Sequence, residues 1–391
     1  MSGLAVNVSS IISSLCYSIF RVEPYTTCTY NCIYCYGRWY RPLNHTTPKP
    51  QYDIVLEFNR VARKLSKLKL GIIPFRLSTL IEPFQPVEEE YKLSLKILKL
   101  ALSNNIPIIV STKSTLFMRD EWFKVLTELA SKGIVLLQIT IVTLNEKLRR
   151  ILEPKASTVE DRVNAIDLAQ SIGIPVVIRY QPLIPGIVEY EVQDILKLAR
   201  ELKVKHVILE FLRCTTNELE FYKRIAYSRE AYSTVWEPYS PVKSESNIVR
   251  PPLTYRLRVL NTILKLAKNY NVKIALCKEG LFNYDQVSDC CGIMYLNNTK
   301  LRLTLREVWN MLREGYSYTN YTLLLKHYEF KQKYITSLNV RVYPRVLRKP
   351  ILHHEKVLKS VLESNYLNSI TPLLELRDGK VYSTLTFHFQ P

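Results

Sequence analysis

Between residues 52 and 211 the chain alternates amphipathic stretches with short, continuous apolar runs. In the first amphipathic stretch Val55, Phe58 and Val61 recur at helical spacing. Apolar runs such as the one at residues 106–111 are typical of strands that a parallel sheet buries on both faces. The pattern predicts helices at 53–68, 88–103, 119–131, 158–172 and 189–202, and strands at 72–79, 106–111, 134–142, 174–180 and 206–211.

An apolar segment at residues 11–22 adds an opening strand, so the prediction contains six strand–helix units. Such alternation favours a parallel sheet with right-handed crossovers, and six units are fewer than the eight of a complete barrel. We therefore expect an α/β fold, a partial (βα)6 TIM-type barrel with a C-terminal α+β extension. The expected domains are a core barrel at 1–215, an extension at 216–291 with a helix at 253–270 and a strand at 272–276, and a basic, Tyr-rich region at 292–391.

The composition is that of a globular protein, with 47% hydrophobic and 23% charged residues, and it excludes disordered, collagen-like and coiled-coil chains. The formal net charge of +19 favours a polyanionic partner such as nucleic acid, unless it only reflects the general composition of the source proteome. We expect no membrane partner, because no apolar run is long enough to cross a bilayer. We also expect the protein to be cytoplasmic, because cysteine thiols stay reduced in that compartment.

Three cysteines stand close together in the chain, with the spacing Cys28-x3-Cys32-x2-Cys35. A loop of this length can bring three thiolates to one metal centre. With three protein thiolates, a 4Fe–4S cluster keeps one iron free to bind a substrate or cofactor. The alternatives are three incidental thiols or a zinc site, which normally shows paired C-x2-C motifs or nearby His ligands.

This cysteine loop, with Tyr34 just before its last Cys, resembles the loop of the radical S-adenosylmethionine (SAM) superfamily. Further segments resemble the branch related to spore photoproduct lyase, which is called DNA-repair-photolyase-like. Those segments are residues 23–28, 81–86, 111–114, 119–120, 153–155 and 182–186. The resemblance implies a partial (βα)6 barrel, a 4Fe–4S cluster held by the three cysteines, SAM, and an electron donor of the ferredoxin or flavodoxin type.

The resemblance also implies a reaction, the reductive cleavage of SAM to a 5′-deoxyadenosyl radical that abstracts hydrogen from a substrate. Within it, the ends of the predicted strands indicate the SAM contacts, since ligands of such folds bind there. We expect Tyr34 near the adenine, Thr79 on the methionyl amine and Lys113 on the methionyl carboxylate, with Thr140 and Arg179 at the ribose and carboxylate. No catalytic residue is assigned.

One position departs from the branch. Spore photoproduct lyase is known for a hydrogen-donating Cys on the second strand, where this sequence has Ser78, Thr79 and Leu80. No Cys occurs between Cys35 and Cys214. We therefore expect turnover to proceed without a thiyl relay from the second strand.

A second group of thiols, Cys277, Cys290 and Cys291, follows the predicted strand at 272–276. It is a candidate second metal site, for an auxiliary iron–sulfur cluster with Cys214 or an outside group as fourth ligand, or for zinc. The alternatives are a reactive thiol near the substrate or inert buried cysteines. Cys16 is expected to be a core residue.

The leading functional hypothesis is a radical SAM enzyme that acts on a nucleic acid or nucleotide-like substrate. It rests on the basic surplus of residues 292–391 with interleaved tyrosines, because cations neutralise phosphates and aromatic rings stack on bases. The alternatives are a radical SAM enzyme that modifies a peptide or small metabolite, and a non-catalytic binding protein stabilised by its cluster. SAM cleavage and the salt dependence of nucleic-acid binding distinguish these hypotheses.

Overall fold

The computed structural model describes residues 3–39, 47–242 and 247–385. Its strands are β1 Phe20–Val22, β2 Phe75–Leu77, β3 Ile108–Thr112, β4 Val135–Thr140, β5 Val176–Leu183, β6 Val207–Phe211, β7 Cys214–Thr215, β8 Glu237–Pro238, β9 Ile248–Arg250, β10 Ile274–Leu276, β11 Leu374–Arg377 and β12 Lys380–Ser383. Its α-helices are α1 Ser10–Leu15, α2 Tyr52–Lys67, α3 Glu88–Tyr91, α4 Leu93–Asn104, α5 Asp120–Ser131, α6 Glu146–Leu152, α7 Val159–Ser171, α8 Val188–Glu201, α9 Leu219–Ile225, α10 Leu253–Tyr270, α11 Leu305–Arg313, α12 Tyr321–Tyr328, α13 Arg345–Leu362 and α14 Leu367–Ile370.

The main sheet is parallel and has the strand order β1-β2-β3-β4-β5-β6-β10 in the described residues. Helices follow the strands and cover the outer face, as the alternating pattern predicts. The sheet is curved but open, since β1 and β10 form its two edges. The predicted α/β fold is therefore confirmed, with β10 as a seventh strand beyond the six units of the prediction.

The opening segment differs from the prediction, because residues 11–22 do not form one strand. Ser9 caps a short helix, α1, by accepting a hydrogen bond from the backbone N–H of Ile12 at 3.2 Å. Only Phe20–Val22 pairs with the sheet. Helix α1 packs against α13 instead, a contact between the two ends of the chain that local periodicity does not indicate.

The helix predicted at 88–103 is divided at Lys92, which adopts a left-handed backbone conformation with φ of 50°. The buried carboxylate of Glu88 explains the division. It accepts the backbone N–H groups of Ser94 and Leu95, both at 2.9 Å, and so caps the second helix from the first. Two helices that meet at Lys92 therefore replace the single continuous helix that the spacing predicts.

The barrel interior is filled from its amino-terminal end by residues 287–301. Inward-facing side chains of successive strands, such as Ile109, Leu136 and Val177, form a cluster with Cys290 and Cys291 of this segment. The outward-facing residues of the same strands pack against the helices in the main core. A separate core forms around α11, α12 and α13 in the C-terminal part. None of the helices in the described ranges is long and apolar enough to cross a membrane.

Candidate active site

The cysteine loop follows β1 and lies at the carboxyl edge of the sheet. Cys28, Cys32 and Cys35 pack together with Tyr30 and with Ala156 from the segment between α6 and α7. All three thiols are free, with no disulfide. Burial raises the pKa of Cys28 to about 11 in the absence of any metal. Three thiols from one short loop, of which that of Cys32 is buried and the other two half-buried, therefore meet where a parallel fold of this type binds its ligands.

Two residues from the loop after β2 hold the cysteine loop in place. The backbone N–H of Glu82 donates to Cys28 Sγ at 3.4 Å, which is the polar contact that stabilises a thiolate. Gln85 is fully buried, and its amide donates to the carbonyl of Thr27 at 2.9 Å while accepting the N–H of Thr29 at 3.0 Å. The segment 81–86 therefore supports the loop directly.

The carboxylate of Glu82 connects this support to the end of β3. It accepts the hydroxyl of Thr112 at 2.5 Å and the backbone N–H of Lys113 at 2.8 Å. Burial raises the pKa of Glu82 above its usual range, although these hydrogen bonds oppose the shift. The end of β3 and the cysteine loop are thereby fixed relative to each other.

Tyr34 and Lys113 are neighbours beside the cysteines. The Lys113 ammonium lies 5.7 Å from the centre of the Tyr34 ring, and the Tyr34 hydroxyl donates to Glu153. Burial alone would lower the pKa of Lys113, but the nearby Cys32, Glu153 and Glu82 outweigh it and raise the pKa. The lysine ion pairs of the described residues are those of Lys92, Lys223 and Lys278, and none involves Lys113.

The remaining expected SAM contacts lie just after β2, at the end of β4 and on β5. Thr79 is at the edge, where its hydroxyl and backbone N–H both donate to Glu23 at 2.8 Å. Thr140 ends β4 and is buried. Arg179 pairs with Thr140 in register, and its guanidinium donates to Gln138 at 2.8 Å, one layer below the edge. Thr140 and Arg179 are therefore neighbours on adjacent strands, and Thr79 follows β2 at the same edge of the sheet.

A group of charged and aromatic residues at the ends of β6 and β10 was not expected from the sequence. The Arg213 guanidinium lies 5.1 Å from the Tyr36 ring and 4.5 Å from the Tyr239 ring, between the two. Lys278 lies 5.4 Å from the Tyr36 ring, and Glu210 is 3.0 Å from Arg213. The one available signal was the position of Tyr36, directly after Cys35.

Gln181 on β5 is a second residue that sequence reasoning missed. It is 7% exposed, and both atoms of its amide lack a hydrogen-bond partner among the described residues. It lies two residues beyond Arg179, where the register between β5 and β6 shifts. A buried amide without partners is costly, so this side chain is a candidate ligand contact.

Ser78, which follows the second strand, has a structural role. Ser78 is 1% exposed, has φ of 67°, and its hydroxyl donates to Glu23 at 2.6 Å. The basic region also differs in part from expectation. Tyr343 is buried and its hydroxyl donates to the Gly71 carbonyl at 2.9 Å, so it is not exposed for stacking on bases.

The fold brings the thiols of the second cysteine group together. The cysteine that joins them as a fourth member is not the one expected from the sequence. Cys277, Cys290 and Cys291 are neighbours, and Cys16 joins them, whereas Cys214 lies in a separate cluster around Leu212 and Trp236. In the described part of the chain, no three or more His, Cys, Asp or Glu side chains already surround one point as ligands of a single ion do. This holds for the cysteine loop too, where each thiolate of a 4Fe–4S cluster would bind a different iron.

Comparison with protein families assigns the barrel to a class. Residues 22–199 match the family model described as Radical SAM superfamily. This range runs from the end of β1 into α8 and contains the whole cysteine loop. Residues 22–199 therefore form a radical SAM domain, and members of that superfamily use a 4Fe–4S cluster and SAM.

Individual proteins are more distant. The chain is 27% identical over 158 residues to the uncharacterized protein ORF301 of Acidianus two-tailed virus, covering 39% of this chain and 50% of that protein. It is 25% identical over 171 residues to the uncharacterized protein MJ0683 of Methanocaldococcus jannaschii, covering 44% and 62%. The match to ORF301 thus spans about half the length of that relative.

Among solved structures, the fold is similar to that of a spore photoproduct lyase mutant with bound AdoMet and dinucleoside spore photoproduct. The TM-score is 0.51 at 12% sequence identity, over 66% of this chain and 76% of the other. At this identity the similarity concerns the fold, and it is consistent with the partial barrel described above.

Proposed function

We propose that the protein is a radical SAM enzyme in which Cys28, Cys32 and Cys35 hold a 4Fe–4S cluster. The observation that carries this proposal is the meeting of three free thiols at the carboxyl edge of the sheet, inside the matched domain. Three thiolates and a backbone N–H donor to Cys28 suit such a cluster. The bound cluster would supply one electron that splits SAM into methionine and a 5′-deoxyadenosyl radical.

The chain's own residues would bind and orient SAM. Lys113 supports the methionyl carboxylate, because its buried ammonium has no carboxylate of the described chain in ion-pair contact. Tyr34, held by Glu153, provides a ring face for the adenine. Thr79 is our candidate for the methionyl amine, and Thr140 and Arg179 are candidates for the ribose and carboxylate.

The proposed substrate is a nucleic acid or a nucleotide-like molecule. A groove of about 600 Å³ between α2 and α13 supports this class, since it is lined by Arg60, Lys64, Arg345, Lys349 and His353 against the single carboxylate of Glu57. The formal net charge of +19 also favours binding of a polyanionic substrate. The structural relative with bound dinucleoside spore photoproduct is a further argument for a nucleotide-like substrate.

The proposal includes an electron donor of the ferredoxin or flavodoxin class and a reducing, cytoplasmic location, in which the eight thiols stay free. It also includes three domains, with boundaries after residues 215 and 291. The strand β10 lies within the second of these but pairs with β6 of the first, so these two segments would fold together.

The cluster assignment is tested by changing the three loop cysteines at once. The variant Cys28→Ala/Cys32→Ala/Cys35→Ala should lose about four iron per chain and all reductive cleavage of SAM, since no thiolate remains to bind the cluster. Iron analysis and 5′-deoxyadenosine formation under dithionite measure both. A matched Cys214→Ala variant should keep iron and cleavage. Cleavage at the wild-type rate by the triple variant would contradict the proposal.

The substrate class is tested by the salt dependence of DNA binding. If the groove contacts phosphates, the variant Arg60→Ala/Lys349→Ala should lower the magnitude of the slope of log K against log salt by about two. Fluorescence anisotropy with a single-stranded oligonucleotide at several salt concentrations measures this slope. The exposed pair Lys96→Ala/Lys99→Ala on α4 is the control and should leave it unchanged. Equal slopes for all three proteins would exclude the groove as a phosphate contact.

A further inference from the structure

Four thiols from three distant parts of the chain meet beside the barrel interior, those of Cys290 and Cys291 buried and those of Cys16 and Cys277 half-buried. Cys290 Sγ and Cys291 Sγ are 3.9 Å apart. The thiol of Cys16, just after α1, is in side-chain contact with Cys291, and that of Cys277, just after β10, with Cys290. The four therefore form a continuous row in the order Cys16, Cys291, Cys290, Cys277, and none is in a disulfide.

The groups around this row donate hydrogen bonds to it. The Ser18 hydroxyl donates to Cys291 Sγ at 3.3 Å, and Arg76 Nη2 lies 3.7 Å from the same sulfur. Neutral thiols are weak acceptors, whereas thiolates are strong ones. Two donors directed at one sulfur are what a thiolate requires.

The positive charge of Arg76 in the barrel interior also indicates that Cys291 is a thiolate. Arg76 is 9% exposed, and its other partners are Ser111 at 2.7 Å and Gln138 at 3.0 Å, both uncharged. Arg179 donates to the same Gln138 oxygen, and neither arginine forms an ion pair with a carboxylate in the described residues. The buried Arg76 guanidinium needs a negative partner, and Cys291 is the acidic group that contacts it.

The backbone that presents the adjacent cysteines is rigidly built. The Asp289 carboxylate accepts the N–H groups of Ile293 at 2.8 Å and Met294 at 3.0 Å, and His206 is 3.0 Å from the Cys290 carbonyl. Gly292 has φ of 79°, and a Cβ there would lie 2.6 Å from a Leu136 methyl. This turn can therefore enter the barrel only with glycine at this position, directly after the two cysteines.

We propose that Cys16, Cys277, Cys290 and Cys291 bind a second, thiolate-coordinated metal centre, separate from the cysteine loop. The shared chemistry is a thiophilic metal held by four thiolates, as an iron–sulfur cluster or as a zinc ion. Such a centre carries net negative charge, which pairs with Arg76. To close the row around a metal, the side chains of its two end members, Cys16 and Cys277, would rotate about χ1.

The centre would connect α1, β10 and the 287–301 segment, and so fix the segment that fills the barrel. It is independent of SAM chemistry. Metal binding by thiolates that come from remote segments contributes directly to folding stability. The structure adds Cys16 as the fourth ligand and removes Cys214, which lies elsewhere.

The test starts from the variant Cys28→Ala/Cys32→Ala/Cys35→Ala, in which metal of the cysteine loop no longer contributes. Purified without oxygen and reconstituted with iron and sulfide, this protein should retain about four iron, or about one zinc, per chain. Elemental analysis identifies the metal, and the absorption spectrum distinguishes a cluster from zinc. Adding Cys16→Ser and Cys290→Ser should remove at least four fifths of that metal.

Adding Cys214→Ser to the triple variant instead is the matched control, because Cys214 is equally buried but remote from the row. It should keep the metal. The proposal would be overturned if the triple variant held less than about a tenth of the expected metal and all five of its remaining cysteines titrated as free thiols. Loss of SAM cleavage plays no part in this measurement, so failure here is distinguishable from failure of the proposed enzyme activity.

Discussion

At the scale of single residues, the candidate site depends on a few buried charged side chains whose partners come from other loops. Glu82 links the cysteine loop to the end of β3, and Lys113 lies at the point where they meet. Lys113 stays charged because Cys32, Glu153 and Glu82 together raise its pKa against the effect of burial. A charged ammonium at this place is suited to bind a carboxylate.

The first prediction concerns this ammonium. Lys113→Met should raise the dissociation constant for SAM by about 10- to 100-fold, because a buried charge-assisted hydrogen bond is lost. Calorimetric titration of the cluster-loaded protein under anaerobic conditions measures it. Lys92→Met, which removes an exposed lysine 2.6 Å from Glu121, is the control and should bind SAM normally. Equal dissociation constants for both variants would show that Lys113 does not contact the cofactor.

At the scale of secondary-structure elements, α7 supports the cysteine loop through one arginine. Arg162 is 1% exposed, pairs with Glu153 at 2.7 Å, and donates to the carbonyl of Thr140 at 2.8 Å. Glu153 in turn accepts the Tyr34 hydroxyl. The helix, the end of β4 and the cysteine loop are thus connected through a single buried ion pair.

Breaking this buried ion pair should lower the free energy of unfolding more than breaking a surface ion pair does. Arg162→Met leaves Glu153 buried without its charge partner and should lower the free energy of unfolding by about 3–5 kcal/mol. Arg150→Met, which removes an exposed partner of Glu146 at 3.5 Å, should change it by less than about 1 kcal/mol. Urea unfolding followed by circular dichroism compares the two. A loss below that of Arg150→Met would refute the supporting role.

At the scale of the whole molecule, the two ends of the chain are joined by a buried histidine. His354 on α13 is 2.9 Å from the Ser13 hydroxyl of α1 and 3.1 Å from the Val6 carbonyl. Burial, with a further contribution from Arg302, lowers the pKa of His354 to about 3. The folded protein therefore keeps this ring neutral, while the unfolded chain protonates it near pH 6.5.

Stability should consequently fall in acid. The contribution of His354 is fully present above pH 6.5 and is lost as the pH falls toward 3, because the unfolded state binds the proton first. Between pH 7 and pH 5 the loss should be about 2 kcal/mol. His354→Gln should remove that part of the pH dependence, and His353→Gln, an exposed neighbour on the same helix, should retain it. Unfolding free energies measured between pH 7 and pH 5 test this prediction. Identical pH profiles for all three proteins would refute it.

Much of the fold was predictable because it depends on local periodicity. Continuous apolar runs identified β3, β4, β5 and β6, and the helices after them follow from amphipathic spacing, since these strands are buried on both faces. The errors occurred where a remote side chain changes the local outcome. Glu88 divides the helix at 88–103, and α13 is the packing partner of α1 where a strand was expected.

The cysteine spacing alone indicates a cluster loop, because three thiols within eight residues are close in any compact conformation. Only the tertiary structure brings Cys16 to Cys291, Arg213 between Tyr36 and Tyr239, and Arg162 beneath the loop. Those contacts join segments that are tens to hundreds of residues apart, and local patterns carry no information about which remote segments meet. The sequence therefore determined the class of chemistry and the sheet, while the packing of distant segments decided the second thiol group and the mouth of the barrel.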